Sequence, residues 1–184
     1  MSLVGKWDSL YAGIIEPTPF GETTTYEIGA RFLADCAEIE DWGCGRGWLR
    51  TCLVPGQRYR GIDGSRTPFA DAIVDLTTYK SDVEAIFLRH VLEHNRDWAA
   101  ILGNAVASFR RKLVVVLFTP LAPEFVEIEV PETIPVYRLP EAEVLLAFGA
   151  ATVRRTDVRT DTQFGAETVF CIEKPEPSAC ASAS

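Results

Sequence analysis

The stretch AEIEDWGCGRGWLR (residues 37–50) decides the fold. A short strand-like run, Ala37 to Asp41, ends on an acid and gives way to Gly43, Gly45 and Gly47 at every second position. Glycines so spaced give a backbone that turns tightly and lets another group come close. In an open α/β sheet the first strand-to-helix turn has this character, and ligands bind beyond the carboxyl ends of the strands. A dinucleotide loop of the G-x-G-x-x-G type would carry a third glycine where this chain has Trp48. The loop therefore predicts a ligand site, but not a pyrophosphate site.

Working outward, apolar runs alternate with segments of helical spacing. TTTYEIGARFLADC (residues 23–36) opens with N-cap candidates and an early Glu27, then places Ile28, Phe32 and Leu33 at helical intervals. Further strands are predicted at Arg58 to Asp63, Asp71 to Asp75, Glu84 to Arg89 and Lys112 to Phe118. Between the last two, Trp98, Ile101, Leu102, Ala105, Val106 and Phe109 recur at steps that mark an amphipathic helix. Another helix is predicted at PEAEVLLAF. The final two runs, ATVRRTDVRT and ETVFCIEK, are too close for a crossover helix and must pair antiparallel. The fold class is α/β: a Rossmann-like, mostly parallel seven-stranded sheet with helices on both faces, closed by a C-terminal antiparallel β-hairpin.

Composition limits the function. With 184 residues, 47% of them hydrophobic and 24% charged, the chain suits one domain. A formal charge of −8 argues against a nucleic-acid partner, which would need a basic face. The basic clusters Arg110–Arg111–Lys112 and Arg154–Arg155 read as solvated surface. No apolar run is long enough to span a membrane, and the N-terminus lacks a secretory pattern, so a cytoplasmic protein is expected. The cysteines (Cys36, Cys44, Cys52, Cys171, Cys180) contain no C-x-x-C pair and suggest neither a disulfide framework nor a zinc site. Residues 1–24 form an N-terminal extension, 119–140 a Pro- and acid-rich insertion expected to act as a lid, and 175–184 a tail expected to be disordered.

The acids sharpen the ligand. Asp41 ends the first predicted strand, Asp63 the second and Asp75 the third. An acid at the end of the second strand can accept hydrogen bonds from vicinal ribose hydroxyls. Three carboxylates around one pocket would repel a pyrophosphate and suit a cationic nucleoside ligand.

IEDWGCGRG, YRGIDGS, DAIVDL and AIFLRHVLEH, followed by KLVVVLF, resemble the successive motifs of class I S-adenosylmethionine-dependent methyltransferases over residues 25–174. TPFGETTTYE, TPFAD and LRHVLEHN are similar to small methyltransferases encoded beside glycosyltransferases in bacteria and phages. The resemblance implies one methyltransferase domain over residues 1–174, using S-adenosylmethionine and no metal. It implies that Gly43, Cys44 and Gly45 line the methionine part of the cofactor, with Asp41 near its amino group. It further places Asp63 on the ribose, Gly64 and Ser65 beside the adenosine, Asp75 and Leu76 at the adenine edge, Arg89 and His90 near the sulfur, and Tyr26 over the pocket. Glu40 departs from the family's apolar residue and predicts an exposed strand face there.

His90 and His94, four apart, have no evident third metal ligand. His94 reads as structural. His90 is the catalytic candidate, since a histidine at a strand exit can act as a general base. The strand exit RHVL lacks the amino-directed DNA methyltransferase signature, and the insertion is too small for a nucleic-acid recognition domain. The expected acceptor is a small molecule or a sugar hydroxyl. Two other readings stand beside this one: a nicotinamide-dependent oxidoreductase, against which Trp48 weighs, and a non-catalytic scaffold that keeps the cofactor pocket.

Overall fold

The strand Val83–Arg89 is buried at every position but Glu84. Ala85 and Phe87 face one side and join a cluster with Leu33, Val114 and Cys171; Ile86 and Leu88 face the other and join Ile101, Leu113 and Phe170. A strand apolar on both faces belongs at the centre of a parallel sheet covered by helices on each side.

The computed structural model describes residues 3–128 and 134–175. In chain order these form α1 (Leu3–Tyr11), α2 (Thr24–Phe32), β1 (Glu38–Trp42), α3 (Leu49–Cys52), β2 (Arg58–Asp63), β3 (Ala72–Ile73), β4 (Val83–Arg89), a 3-10 turn (Leu92–His94), α4 (Trp98–Ser108), β5 (Phe109–Leu117), β6 (Val126–Ile128), β7 (Val136–Arg138), α5 (Glu141–Ala147), β8 (Thr152–Arg159) and β9 (Ala166–Glu173). The seven-stranded sheet runs β3-β2-β1-β4-β5-β9-β8. β1 to β5 pair in parallel, while β9 pairs antiparallel with both β5 and β8. The chain order reverses between β1 and β4, so the carboxyl ends of these two strands flank the crevice where a ligand is expected. Among the described residues no helix is long and apolar enough to cross a membrane.

The structure differs locally from the sequence expectation in three places. The third strand shrinks to two residues, and the acids flanking it are engaged through their side chains, Asp71 across to β2 and Asp75 in the following turn. Asp71 accepts the Gly61 N–H at 2.7 Å, and Asp75 accepts both the N–H and the hydroxyl of Thr77 at 2.9 and 2.7 Å. Glu40 is buried, not exposed, because it accepts hydrogen bonds from Trp42 Nε1, Arg60 and the Tyr79 hydroxyl. The insertion carries a separate antiparallel pair, β6 with β7; its residues 129–133, and the tail 176–184, lie outside the described residues.

Gly29 sets how closely α2 approaches the sheet. A Cβ there would run into the Phe87 ring and come within 3.2 Å of Val114 Cγ1. Gly29→Ala should lower the unfolding free energy by about 1–3 kcal/mol through overpacking, despite alanine's better helix propensity. Urea denaturation checks this; an unchanged or higher midpoint would contradict it.

Candidate functional site

The glycine loop is built by three left-handed residues, Gly43, Gly45 and Gly47, at φ 75°, 47° and 69°. The N–H groups of Gly43 and Cys44 both donate to the Ile62 carbonyl, and Asp63 accepts the Gly45 N–H at 2.9 Å, so the loop folds back over the end of β2. The space beside each glycine is filled by protein. A Cβ at Gly43 would strike Val91, one at Gly47 would lie 2.7 Å from Phe69, and one at Gly45 would lie 3.0 Å from the Tyr11 hydroxyl. The glycines are therefore required first by packing against Val91, Tyr11 and Phe69.

Above the carboxyl ends of β1, β2 and β4 lies a cavity of about 470 Å3, a size suited to a small ligand. Of the residues predicted from sequence, Gly43, Asp63, Gly64, Ser65, Asp75, Leu76 and His90 line it together. Tyr26, Asp41, Cys44, Gly45 and Arg89 do not. The cavity's outer wall is α1, which the sequence reading left as an extension: Leu3, Val4, Trp7 and Tyr11 face it. Helical spacing of Leu3, Trp7 and Tyr11 was the available signal. Asp8 fixes the helix by accepting the Arg66 N–H, and Trp7 packs edge-on against His94 with ring centroids 5.1 Å apart. A wider hollow of about 640 Å3 lies at the amino ends of β1, β2 and β4, beside ion pairs such as Arg60–Glu40. It sits at the amino ends of the strands, whereas ligands in such sheets bind beyond the carboxyl ends.

Asp63 accepts three hydrogen bonds, from Gly45 N–H, Ser65 N–H and Ser65 Oγ. A carboxylate has about four acceptor positions, so one remains for a ligand hydroxyl, and the Ser65 hydroxyl can rotate away to free another. Asp75 both lines the cavity and caps its own turn, where the Thr77 hydrogen bonds hold its carboxyl below the usual range. Tyr11 separates the cavity from Gly45; its buried hydroxyl, close to the Asp63 charge, is pushed well above the ordinary tyrosine range.

Arg89 turns away from the cavity. Its Nε donates to Thr25 Oγ1, its Nη1 to the Phe20 carbonyl and the Tyr26 hydroxyl, and its Nη2 to both Glu167 oxygens at 3.0 and 3.2 Å. The guanidinium also sits 4.2 Å over the Tyr26 ring, which stacks on Phe87. Every nitrogen is engaged, so Arg89 and Tyr26 act as a buried brace. Glu167, on β9, was not singled out by sequence reasoning, although an acid opening the apolar run ETVFCIEK was a signal. Burial would raise its carboxyl; contacts with His90, Arg89 and Thr25 outweigh that and hold it below the usual range.

His90 directly follows β4 with φ 57°, a conformation rare for a residue with a side chain and costing about 1–3 kcal/mol. Its N–H donates to the Val116 carbonyl, and its ring lies 4.9 Å from Phe118. Burial pulls the imidazole down to about 4, so it is neutral through the physiological range. His94 also faces the cavity, with Nδ1 2.9 Å from the Pro135 carbonyl. Glu93, pushed up to about 8 by burial, accepts the Phe118 N–H at 2.6 Å. Asp41 lies beneath the loop, where Tyr59 donates to it at 2.9 Å and burial raises it to about 7. Among the described residues there is no group of three or more His, Cys, Asp or Glu placed to hold a metal.

No family model and no curated protein matches the sequence. Solved structures do match in shape. A 1,6-didemethyltoxoflavin-N1-methyltransferase from Burkholderia thailandensis, with S-adenosylhomocysteine bound, has a TM-score of 0.67 at 14% identity, covering 83% of this chain and 77% of that one. The magnesium protoporphyrin IX methyltransferase of Synechocystis PCC 6803 has a TM-score of 0.62 at 16% identity, covering 93% and 94%. CalS10, an amino pentose methyltransferase from Micromonospora echinaspora, has a TM-score of 0.55 at 13% identity, covering 80% and 89%. The chain thus has the Rossmann-like fold of these S-adenosylmethionine-dependent methyltransferases.

Asp41 gives a pH test. Its folded pKa of about 7 lies above the unfolded value near 3.9, so the native state binds the extra proton. Its contribution is fully present below about pH 4 and is lost as pH rises through about 7. Asp41→Asn, which can still accept from Tyr59, should reduce the fall in melting temperature between pH 5 and 8; an undiminished fall would contradict this assignment.

Proposed function

We propose that this chain is an S-adenosylmethionine-dependent methyltransferase that moves a methyl group to an oxygen of a small-molecule or saccharide acceptor, with residues 1–174 as one catalytic domain. The observation that carries the reading is the cavity, lined together by the end of β2, the turn after β3 and the exit of β4. The shared fold, and 1,6-didemethyltoxoflavin and an amino pentose in the names of two proteins of that fold, support the acceptor class.

The adenosine half of the cofactor fits the residues present. Asp63 would accept from the ribose hydroxyls, with Gly64 and Ser65 beside them, and a Cβ at Gly64 would meet only the Val74 carbonyl at 3.6 Å. Leu76, Ile73 and Ile101 would hold the flat ring, with Asp75 at its edge. The amino-acid half would lie toward Gly43, where the Tyr11 hydroxyl now abuts Gly45, so this end needs α1 to shift. The sulfonium supplies an already activated methyl group, so the proposed transfer calls for no metal.

The chain's own work is alignment, water exclusion and one proton transfer. Trp7 and Tyr11 of α1 would shield the crevice. His90, neutral at the cavity wall, would accept the proton of the acceptor hydroxyl, a contribution of about 10²- to 10⁴-fold where a base acts. A base with a pKa of about 4 keeps its free form above that value, so turnover should stay flat from pH 8 to about pH 5 and fall as pH approaches 4.

Calorimetry with S-adenosylhomocysteine tests the cofactor. Wild type should bind and Asp63→Ala should bind at least about tenfold more weakly, as expected for losing a hydrogen bond to a charged group. A folded wild type that does not bind it but binds a reduced nicotinamide cofactor would overturn the reading. His90→Asn keeps a residue that tolerates positive φ. With transfer of a labelled methyl group to a panel of alcohols and saccharides, it should lose about 10²-fold or more in turnover at nearly unchanged cofactor affinity. Unchanged turnover would remove His90 as the base.

A further inference from the structure

Resting on the methyltransferase reading, we infer that Glu167 is a positioning residue for His90: it holds the imidazole by Nε2, so that Nδ1 is the nitrogen turned to the acceptor.

The geometry is specific. His90 Nε2 lies 3.3 Å from Glu167 Oε2, within ion-pair range but off the line of a strong hydrogen bond, and Nε2 is buried with no other partner among the described residues. The same Oε2 receives the Thr25 hydroxyl at 2.6 Å and Arg89 Nη2 at 3.2 Å, so the carboxylate cannot swing away from the ring. Its side chain is fully buried on β9. The two imidazole nitrogens point in divergent directions, so with Nε2 at this anchor Nδ1 is the nitrogen left for a ligand, and His90 itself lines the cavity. A looser contact in the free protein is expected to tighten once Nδ1 takes a proton, because the imidazolium then donates to a carboxylate.

The proton balance follows. As the acceptor's O–H bond breaks, its proton passes to Nδ1 and its electron pair stays on oxygen. That oxygen forms the new bond to the methyl carbon, and the carbon–sulfur bond breaks with its pair going to sulfur. The imidazolium left behind carries Nε2–H toward Glu167 until Nδ1 releases its proton to solvent.

Arg89 sets the strength of this support. Its two contacts with Glu167 keep the carboxylate ionised, while its own charge disfavours protonation of His90. His94, in the 3-10 turn, also disfavours it; Glu93, buried in the same turn, interacts with both Arg89 and Glu167. Glu167 and Arg89 therefore pull the histidine in opposite directions, and this separates a positioning role from a merely structural one.

The protein has only two histidines, so 15N-histidine labelling gives an NMR titration in which His94→Gln assigns His90. Wild-type His90 is expected as the neutral form with its proton on Nε2. Glu167→Gln should shift its titration lower and Arg89→Met should shift it higher, each by about one pH unit or more. Because either single change leaves a buried ion alone, Arg89→Met/Glu167→Leu is measured beside them, since removing both charges is tolerated better. There His90 should show averaged tautomers. A wild-type proton on Nδ1, titrations unmoved by both single changes, or a His90 still locked as the Nε2–H form in the double variant would overturn the inference. S-adenosylhomocysteine calorimetry on the same samples separates the two claims: failure of wild type to bind sinks the methyltransferase reading, whereas binding with an unresponsive His90 sinks only the role of Glu167.

Discussion

The carboxylate of Asp63 joins the two loops on which the site is built. By taking the Gly45 N–H from the loop after β1 and the Ser65 N–H and hydroxyl from the loop after β2, it fixes both strand exits at one point. Parallel pairing of β1 with β2 and β4 then brings His90 to the same crevice. Charge-assisted bonds of this kind are stronger than neutral ones, and here three converge on one side chain. The cavity exists because these exits are held apart from α4 on one side and roofed by α1 on the other.

Around that point the molecule buries several ionisable groups, among them Arg89, Glu93 and Glu167. Arg89 and Glu167 neutralise one another beneath the α2 side of the sheet, and Glu93 ties the 3-10 turn to the exit of β5. Replacing such a pair by apolar side chains often costs a protein nothing in stability, while breaking it by removing one partner is expensive. Their position fits a function beyond stability: one ends beside the base proposed for the reaction, and the other fixes the backbone carrying Phe118, whose ring packs on that base. His90's left-handed backbone is a further local cost placed at the site.

Much of this was legible in the sequence. The near-continuous apolar runs of β4 and β5 pointed to a sheet covered on both faces, and the short gap before β9 to its antiparallel end. Gly43, Asp63 and His90, singled out in sequence at predicted strand exits, line one cavity. What stayed hidden depends on tertiary partners. Glu40 reads as a solvent-facing acid until Trp42, Arg60 and Tyr79 are seen to satisfy it. Arg89 reads as a cofactor contact until Glu167, far along the chain, claims it. The glycines read as room for a ligand, yet Val91, Tyr11 and Phe69 occupy that room. α1 stayed hidden because its apolar stripe is short and only the folded cavity shows what it covers.

The most direct test is a crystal structure with S-adenosylhomocysteine. The ribose hydroxyls should lie on Asp63, the adenine against Leu76 and Ile101, and the sulfur toward His90, with α1 displaced so that Tyr11 leaves Gly45. A ligand bound elsewhere, or an adenosine whose ribose makes no contact with Asp63, would contradict this placement.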